Sequence, residues 1–188
     1  VPHLAELAGD ERWHVQRNAA ALLGMTRSAD AVPTLQTLLR RSDPRVLRAA
    51  VSALAGINDP AAGRAIQTVL RAATGDNRVA VVEALVAERD PRVVPMLARI
   101  LADADPFGAD HQLVLDALAA VGRIGHEQAV PAVAVVMARK KFLFGRGKAR
   151  AFKRAAARAL VAIGTPQAGD ALDQAARTGD GLVKSAIR

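Results

Sequence analysis

The 188-residue chain carries a formal net charge of +8, contains no cysteine, and is 51% hydrophobic but only 3% aromatic. Without cysteine there can be no disulfide, thiolate zinc site or cysteine nucleophile, and no apolar run reaches the roughly 20 residues that cross a bilayer. The apolar set is mostly Ala, Val and Leu, with four Phe, one Trp and no Tyr, which suits close helix–helix contact better than a β-sandwich.

The positive charge is local. Nine basic residues and no acidic one lie between Gln128 and Gly169, while the rest of the chain holds 17 basic against 18 acidic side chains. Nothing in the composition assigns a compartment, and a cytoplasmic setting is only a default.

In chain order, Val1-Pro2 matches Val32-Pro33 and Val94-Pro95, so the sequence opens on the second helix of a helix pair. The next predicted helix ends on Leu23, with Val15 and Ala19 eight and four residues before it on the same face. Leu23 is the first of five anchors. Leu54, Leu85, Val121 and Leu160 follow at intervals of 31, 31, 36 and 39 residues, the range of helical repeat arrays. The column four before the anchor reads Ala19, Ala50, Val81, Ala117 and Ala156, and the column eight before reads Val15, Val46, Asn77, Leu113 and Phe152.

After each anchor the pattern predicts an elbow. Five residues on stand Ser28, Asp59, Asp90, His126 and Thr165, of which the four other than His126 are read as acceptors for the free amides of a helix start. Pro60, Pro91 and Pro166 follow directly, where a missing N–H is harmless. Pro33, Pro95 and Pro131 fall five residues after the capping position, so those second helices are expected to begin with an irregular turn. The second helices then carry Leu35-Leu38-Leu39, Ile66-Val69-Leu70, Leu97-Ile100-Leu101, Val133-Val136-Met137 and Leu172-Ala175-Ala176 at helical spacing. Asp43-Pro44, Thr74-Gly75 and Asp110 mark the starts of first helices. Asn77 and Glu88, which stands where Ile57, Ile124 and Ile163 stand, make packing in the third repeat the least regular. Asp180-Gly181-Leu182-Val183 parallels Asp43-Pro44-Arg45-Val46, so a further first helix is expected to be cut short.

The segments Asp43 to Leu54 and Asp90 to Pro95 resemble the HEAT-repeat family, specifically the short bacterial HEAT-like repeats also found in phycobilin lyases. The resemblance spans essentially the whole chain. It implies an all-α, right-handed α-solenoid of antiparallel helix pairs, with second helices on the concave surface. We expect a single array over residues 1–188, of about five repeats with partial repeats at both ends, as a piece of a longer protein.

Two units exceed the 31-residue period, around Ala102 to Asp110 and around Arg139 to Lys148, on the same edge and with opposite charge. Insertions in arrays collect on one face and often carry binding. Candidate partner- or anion-binding residues are Arg139, Lys140, Lys141, Phe142, Phe144, Arg146 and Lys148, continuing into a helix with Arg150, Lys153, Arg154 and Arg158; the other reading is a solvated helix face beside a loop whose phenylalanines pack onto the array end. Projected at 100° per residue, the basic groups of that helix are expected opposite Phe152, Ala156, Leu160 and Ile163, and therefore exposed. Part of the cluster is expected to pair with Asp103, Asp105 and Asp110. Arg40, Arg71 and Arg177, with Arg99 and Arg139 nearby, read as last-turn cations, the alternative being a basic stripe on the concave surface. Arg17, Arg48 and Arg154 share a column expected to form a ladder between repeats.

No catalytic constellation is readable. His3, His14, His111 and His126 show no i, i+4 metal spacing. His126-Glu127 resembles the His-Glu pairs of deoxyhypusine hydroxylase, but that HEAT-like enzyme needs several pairs and one is present. HEAT-like DNA glycosylases stack aromatic residues on their substrate, and Trp13 reads instead as an edge-packing residue. The expected function is a non-catalytic protein–protein interaction or scaffold module, binding a partner on its concave face or inserted edge, without metal or cofactor. The alternatives are anion binding (nucleic acid, acidic protein or lipid headgroups) through residues 139–158, and a phycobilin-lyase-like enzyme.

Overall fold

The computed structural model describes residues 2–87, 89–140, 146–178, 181 and 183–184. Its α-helices, in chain order, are α1 (Pro2–Ala8), α2 (Trp13–Thr26), α3 (Val32–Leu38), α4 (Pro44–Ala55), α5 (Pro60–Ala72), α6 (Gly75–Val86), α7 (Val94–Asp103), α8 (His111–Ile124), α9 (Val130–Ala138), α10 (Arg146–Ile163) and α11 (Pro166–Thr178). Even-numbered helices are the first helices of pairs and odd-numbered ones the second. There is no strand among the described residues, and none of their helices is long and apolar enough to cross a membrane.

The chain divides into two compact units, Val1–Glu88 and Arg89–Arg188. In the first, α2, α4 and α6 pack side by side as one layer, with α1, α3 and α5 against them as a second. In the second, α8 and α10 form one layer and α7, α9 and α11 the other. The core of each unit lies between its layers. The anchors Leu23, Leu54, Leu85, Val121 and Leu160 are at most 2% exposed, and the column four before them is buried throughout. In the column eight before, Val46, Leu113 and Phe152 are buried, while Val15 and Asn77 are only half-buried.

Two close approaches set the spacing of the first helices. Gly24 of α2 lies so near α4 that a Cβ there would sit 2.8 Å from the Cα and Cβ of Ala53. In the second unit Gly122 of α8 meets Ala159 of α10 in the same way, at 3.1 Å from its Cα. Both glycines directly follow an anchor, and both alanines directly precede the next one. Backbones in contact at these points bring the first helices of neighbouring repeats close together.

The elbows follow from local chemistry. The side chains of Ser28, Asp59 and Asp90 accept hydrogen bonds from the amides of Asp30, Ala61 and Arg92, and Thr165 Oγ1 accepts from Ala168. His126 does the same through Nδ1, which accepts from the amide of Gln128 at 3.3 Å. The elbow column is thus capped at all five positions, one more than the side-chain types suggested. The bond requires the tautomer with a lone pair on Nδ1.

The expected irregular turn is present wherever the second proline is. Ala29–Ala31, Pro91–Val93 and Glu127–Ala129 form 3-10 turns before α3, α7 and α9, whereas α5 and α11 start directly. Pro33, Pro95 and Pro131 cannot donate to the carbonyl four residues back, and their rings clash with it. The preceding residue donates to that carbonyl instead, as Val32 does to Ala29, Val94 to Pro91 and Val130 to Glu127. At the other helix ends, Asp43 caps α4 through the amide of Arg45, but Thr74 and Asp110 mark the starts of α6 and α8 without a side-chain cap.

A fork recurs at three helix starts. Asp10, Asp43 and Asp90 each accept from the amide of the arginine two residues on and from its guanidinium as well. The hydrogen bond from the Arg45 guanidinium holds the Asp43 carboxyl down to about 2, and the same bond from Arg12 holds Asp10 well below the usual carboxylate range. The Arg45 guanidinium also lies 3.4 Å from the ring centroid of Trp13, with Arg17 at 5.5 Å, so Trp13 packs an edge between α2 and α4 as expected.

Candidate functional site

The candidate residues lie where the two long intervals meet, in the second unit. After α7 the chain turns through Asp105, whose Oδ1 accepts from the amide of Phe107, while Asp110 Oδ2 accepts from the amide of Asp105. His111 Nδ1 bonds the carbonyl oxygen of Pro106 at 2.8 Å. Phe107 then stands edge-to-face on the buried Phe152 of α10, with centroids 5.2 Å apart. That contact fixes the acidic loop against the basic helix.

Two of the candidate cations hold this loop. The Arg139 guanidinium donates to the carbonyl oxygens of Ala102 and Ala104, which belong to the last turn and C-cap of α7. These are acceptors that a helix end leaves without intrahelical partners, and they carry the negative end of its dipole. Arg139 is therefore a cation complementing a helix end, but of the preceding second helix rather than its own. Lys148 Nζ donates to the carbonyl oxygens of Phe107 and Gly108 at 3.1 and 3.0 Å. The expected pairing with carboxylates takes a different form here: Arg139 and Lys148 end on backbone carbonyls, and Asp103 faces Arg99 at 3.6 Å on its own helix.

Lys153 corrects the helical projection. It is 1% exposed, because it stands seven residues before Leu160, two turns less about 20°, and so shares the anchor's face. Arg146 and Lys148 also differ from expectation, since they form the first turn of α10 rather than a loop. Lys141, Phe142 and Phe144 lie outside the described residues.

What remains exposed is Lys140, followed by Arg146, Arg150, Arg154 and Arg158. The four arginines are spaced i, i+4 along α10, a stripe about 18 Å long. None of them has a hydrogen bond or ion pair with a described residue. The expected ladder of Arg17, Arg48 and Arg154 is realised once. Arg48 bonds Glu83 of α6 at 2.7 Å, Arg17 bonds its neighbour Asn18, and Arg154 faces solvent. Among the described residues there is no group of three or more His, Cys, Asp or Glu side chains able to hold a metal ion.

Comparison with known proteins agrees with this architecture. Residues 1–85 match the model for HEAT repeats, and residues 152–178 match the PBS lyase HEAT-like repeat. Comparison with curated proteins returns no match. Among solved structures, human deoxyhypusine hydroxylase in complex with glycerol is similar at 20% identity, over 98% of this chain and 80% of that one, with a TM-score of 0.45. The complex of CpcE and CpcF of phycocyanin lyase from Nostoc is similar at 21% identity, over 99% and 74%, with a TM-score of 0.47. An engineered protein is similar at 20% identity, over 98% and 92%, with a TM-score of 0.40. With TM-scores below 0.5, these likenesses carry no argument. The repeat columns, the capped elbows and the two family matches together place residues 1–85 and 152–178 in the HEAT-repeat family.

Proposed function

We propose that the chain is a non-catalytic interaction module that recognises an acidic protein partner through the exposed arginines of α10 and the inserted edge beside them. The observation that carries this reading is the contrast within one basic segment. Arg139 and Lys148 are engaged by the neighbouring loop, whereas Arg150, Arg154 and Arg158 are exposed and without acidic partners among the described residues. Like charges at i, i+4 destabilise a helix, and cations at its first turn oppose the dipole. Stability of α10 therefore does not account for the stripe. Stacked repeats present such a surface rigidly without needing a pocket, and the single array expected from the sequence would extend it along the chain.

The test is affinity capture with the full chain and with the double variant Arg150→Glu, Arg154→Glu, after circular dichroism has shown both to be folded. Partners captured by the parent and lost with the variant support the reading, and an unchanged set sinks it. Nucleic acid is the second reading, favoured by the regular guanidinium spacing. Its mark is steep weakening of duplex binding with salt, and a flat salt response rejects it. A coloured adduct on incubation with a bilin and an apo-phycobiliprotein would overturn the non-catalytic assignment.

A further inference from the structure

A groove of about 480 Å³ opens between α8 and α10, on the first-helix layer of the second unit. Its floor is Leu118, Gly122 and Ala159 with further alanines, and Arg89, Arg123 and Arg158 stand around it. Among the described residues, no acidic and no aromatic one lines it. All three arginines are exposed, and none has a hydrogen bond or ion pair with a described residue.

Repeat packing does not require this arrangement. The groove exists because Gly122 and Ala159 bring the two helices together, and Gly24 with Ala53 does the same in the first unit. There the positions equivalent to Arg123 and Arg158, two after one anchor and two before the next, hold Met25 and Ser52. The same backbone contact thus forms with no cation beside it.

We propose that this groove docks an acidic peptide segment of a partner protein. Arg89, Arg123 and Arg158 would take its carboxylates, and its aliphatic side chains would lie on the alanine and glycine floor. Guanidinium forks match carboxylates in geometry and charge. The floor offers no polar group to a sugar–phosphate chain and no ring on which a base could stack, which favours a peptide over a nucleic acid. The surface is distinct from the α10 stripe and shares only Arg158 with it.

The probe is a short fluorescent peptide of Glu-Leu-Leu-Glu repeats, titrated by anisotropy against the full chain. Arg123→Glu removes one cation outside the stripe, and Ala119→Phe fills the groove from an exposed position without changing charge. Each should weaken binding about tenfold or more, whereas Arg146→Glu with Arg150→Glu, stripe positions two turns or more from Arg158, should leave it within about threefold. Absence of binding by the parent overturns the proposal. So does indifference to Ala119→Phe, which would mean diffuse attraction, or equal loss in the stripe variant. An oligonucleotide of the same charge whose binding is equally sensitive to Ala119→Phe would reject the peptide assignment. This titration does not read the partner capture that tests the stripe, so either reading can fail alone.

Discussion

Arg27 and Arg89 occupy the left-handed region, with φ of 52° and 48°, at the elbow position where Gly125 and Gly164 stand in later repeats. An L-residue there is strained by roughly 1–2 kcal/mol, part of which glycine returns through its greater freedom when unfolded. Arg27→Gly should therefore raise stability by about 0.5–1 kcal/mol, read as a higher urea midpoint at unchanged slope. A lower midpoint would mean that the Arg27 side chain itself supports the elbow. The Asp43–Arg45 fork predicts a pH effect. Because the folded carboxyl is depressed to about 2, its contribution is present above the ordinary carboxylate value near 4 and is lost as pH falls from there toward 2. Asp43→Asn, which keeps a capping oxygen but not the charge, should flatten the urea midpoint across that window by lowering it at neutral pH, with the two proteins converging as pH falls toward 2. Most of this chemistry was legible in sequence, since a cap depends on one side chain and the next two amides. His126 was missed because a ring nitrogen caps less often than an oxygen. Lys153 was misplaced because its heptad offset from Leu160 was read as an outward one.

Among the helices, α10 carries a charge pattern that works against its own stability. Three consecutive like-charged i, i+4 pairs run from Arg146 to Arg158, each unfavourable by about 0.2–0.5 kcal/mol. Arg150→Glu turns two of these into attractive pairs and should stabilise the chain by about 0.5–1 kcal/mol while weakening partner capture. Thermal unfolding that moves down instead would show that Arg150 has a structural role. The first-helix contacts predict the opposite sign. Gly24→Ala must displace α4, since its new carbon would meet the Ala53 backbone at 2.8 Å, and should destabilise by about 1–3 kcal/mol. No change in the urea midpoint would mean that the two helices separate freely. The helix pairs themselves could be read from the columns because burial repeats with helical period. The start of α10 could not, because a run of basic residues with two glycines gives no apolar phase to fix it.

For the whole molecule, the net charge of +8 misdescribes the surface, because the excess resides in one segment. Retention on heparin should drop sharply for Arg150→Glu with Arg154→Glu and only slightly for Arg41→Glu with Arg64→Glu, which changes the total charge equally at exposed sites outside that segment. Equal shifts in the two elution profiles would make the charge a global property after all. The five anchors from Leu23 to Leu160 are all buried, and the irregular third repeat, marked by Asn77 and Glu88, coincides with the boundary between the compact units at Glu88 and Arg89. The α8–α10 groove was not legible, because it joins Arg89, Arg123 and Arg158 from different helices and elbows, and no spacing rule relates them.

The bond from Arg139 to the end of α7 limits how this chain can be engineered. An array whose repeats touch only along matching helix faces can be shortened, extended or permuted by whole units. Between α7 and α10 that freedom is lost, because Arg139 supplies the cap for the previous repeat's helix and Lys148 ties the first turn of α10 to the acidic loop. Excising 140–148 to abolish binding would also take Lys148 from the acidic loop, so charge reversal on α10 is the cleaner knockout. A graft of this binding surface onto another helical scaffold would have to carry both inserted loops as a single cassette.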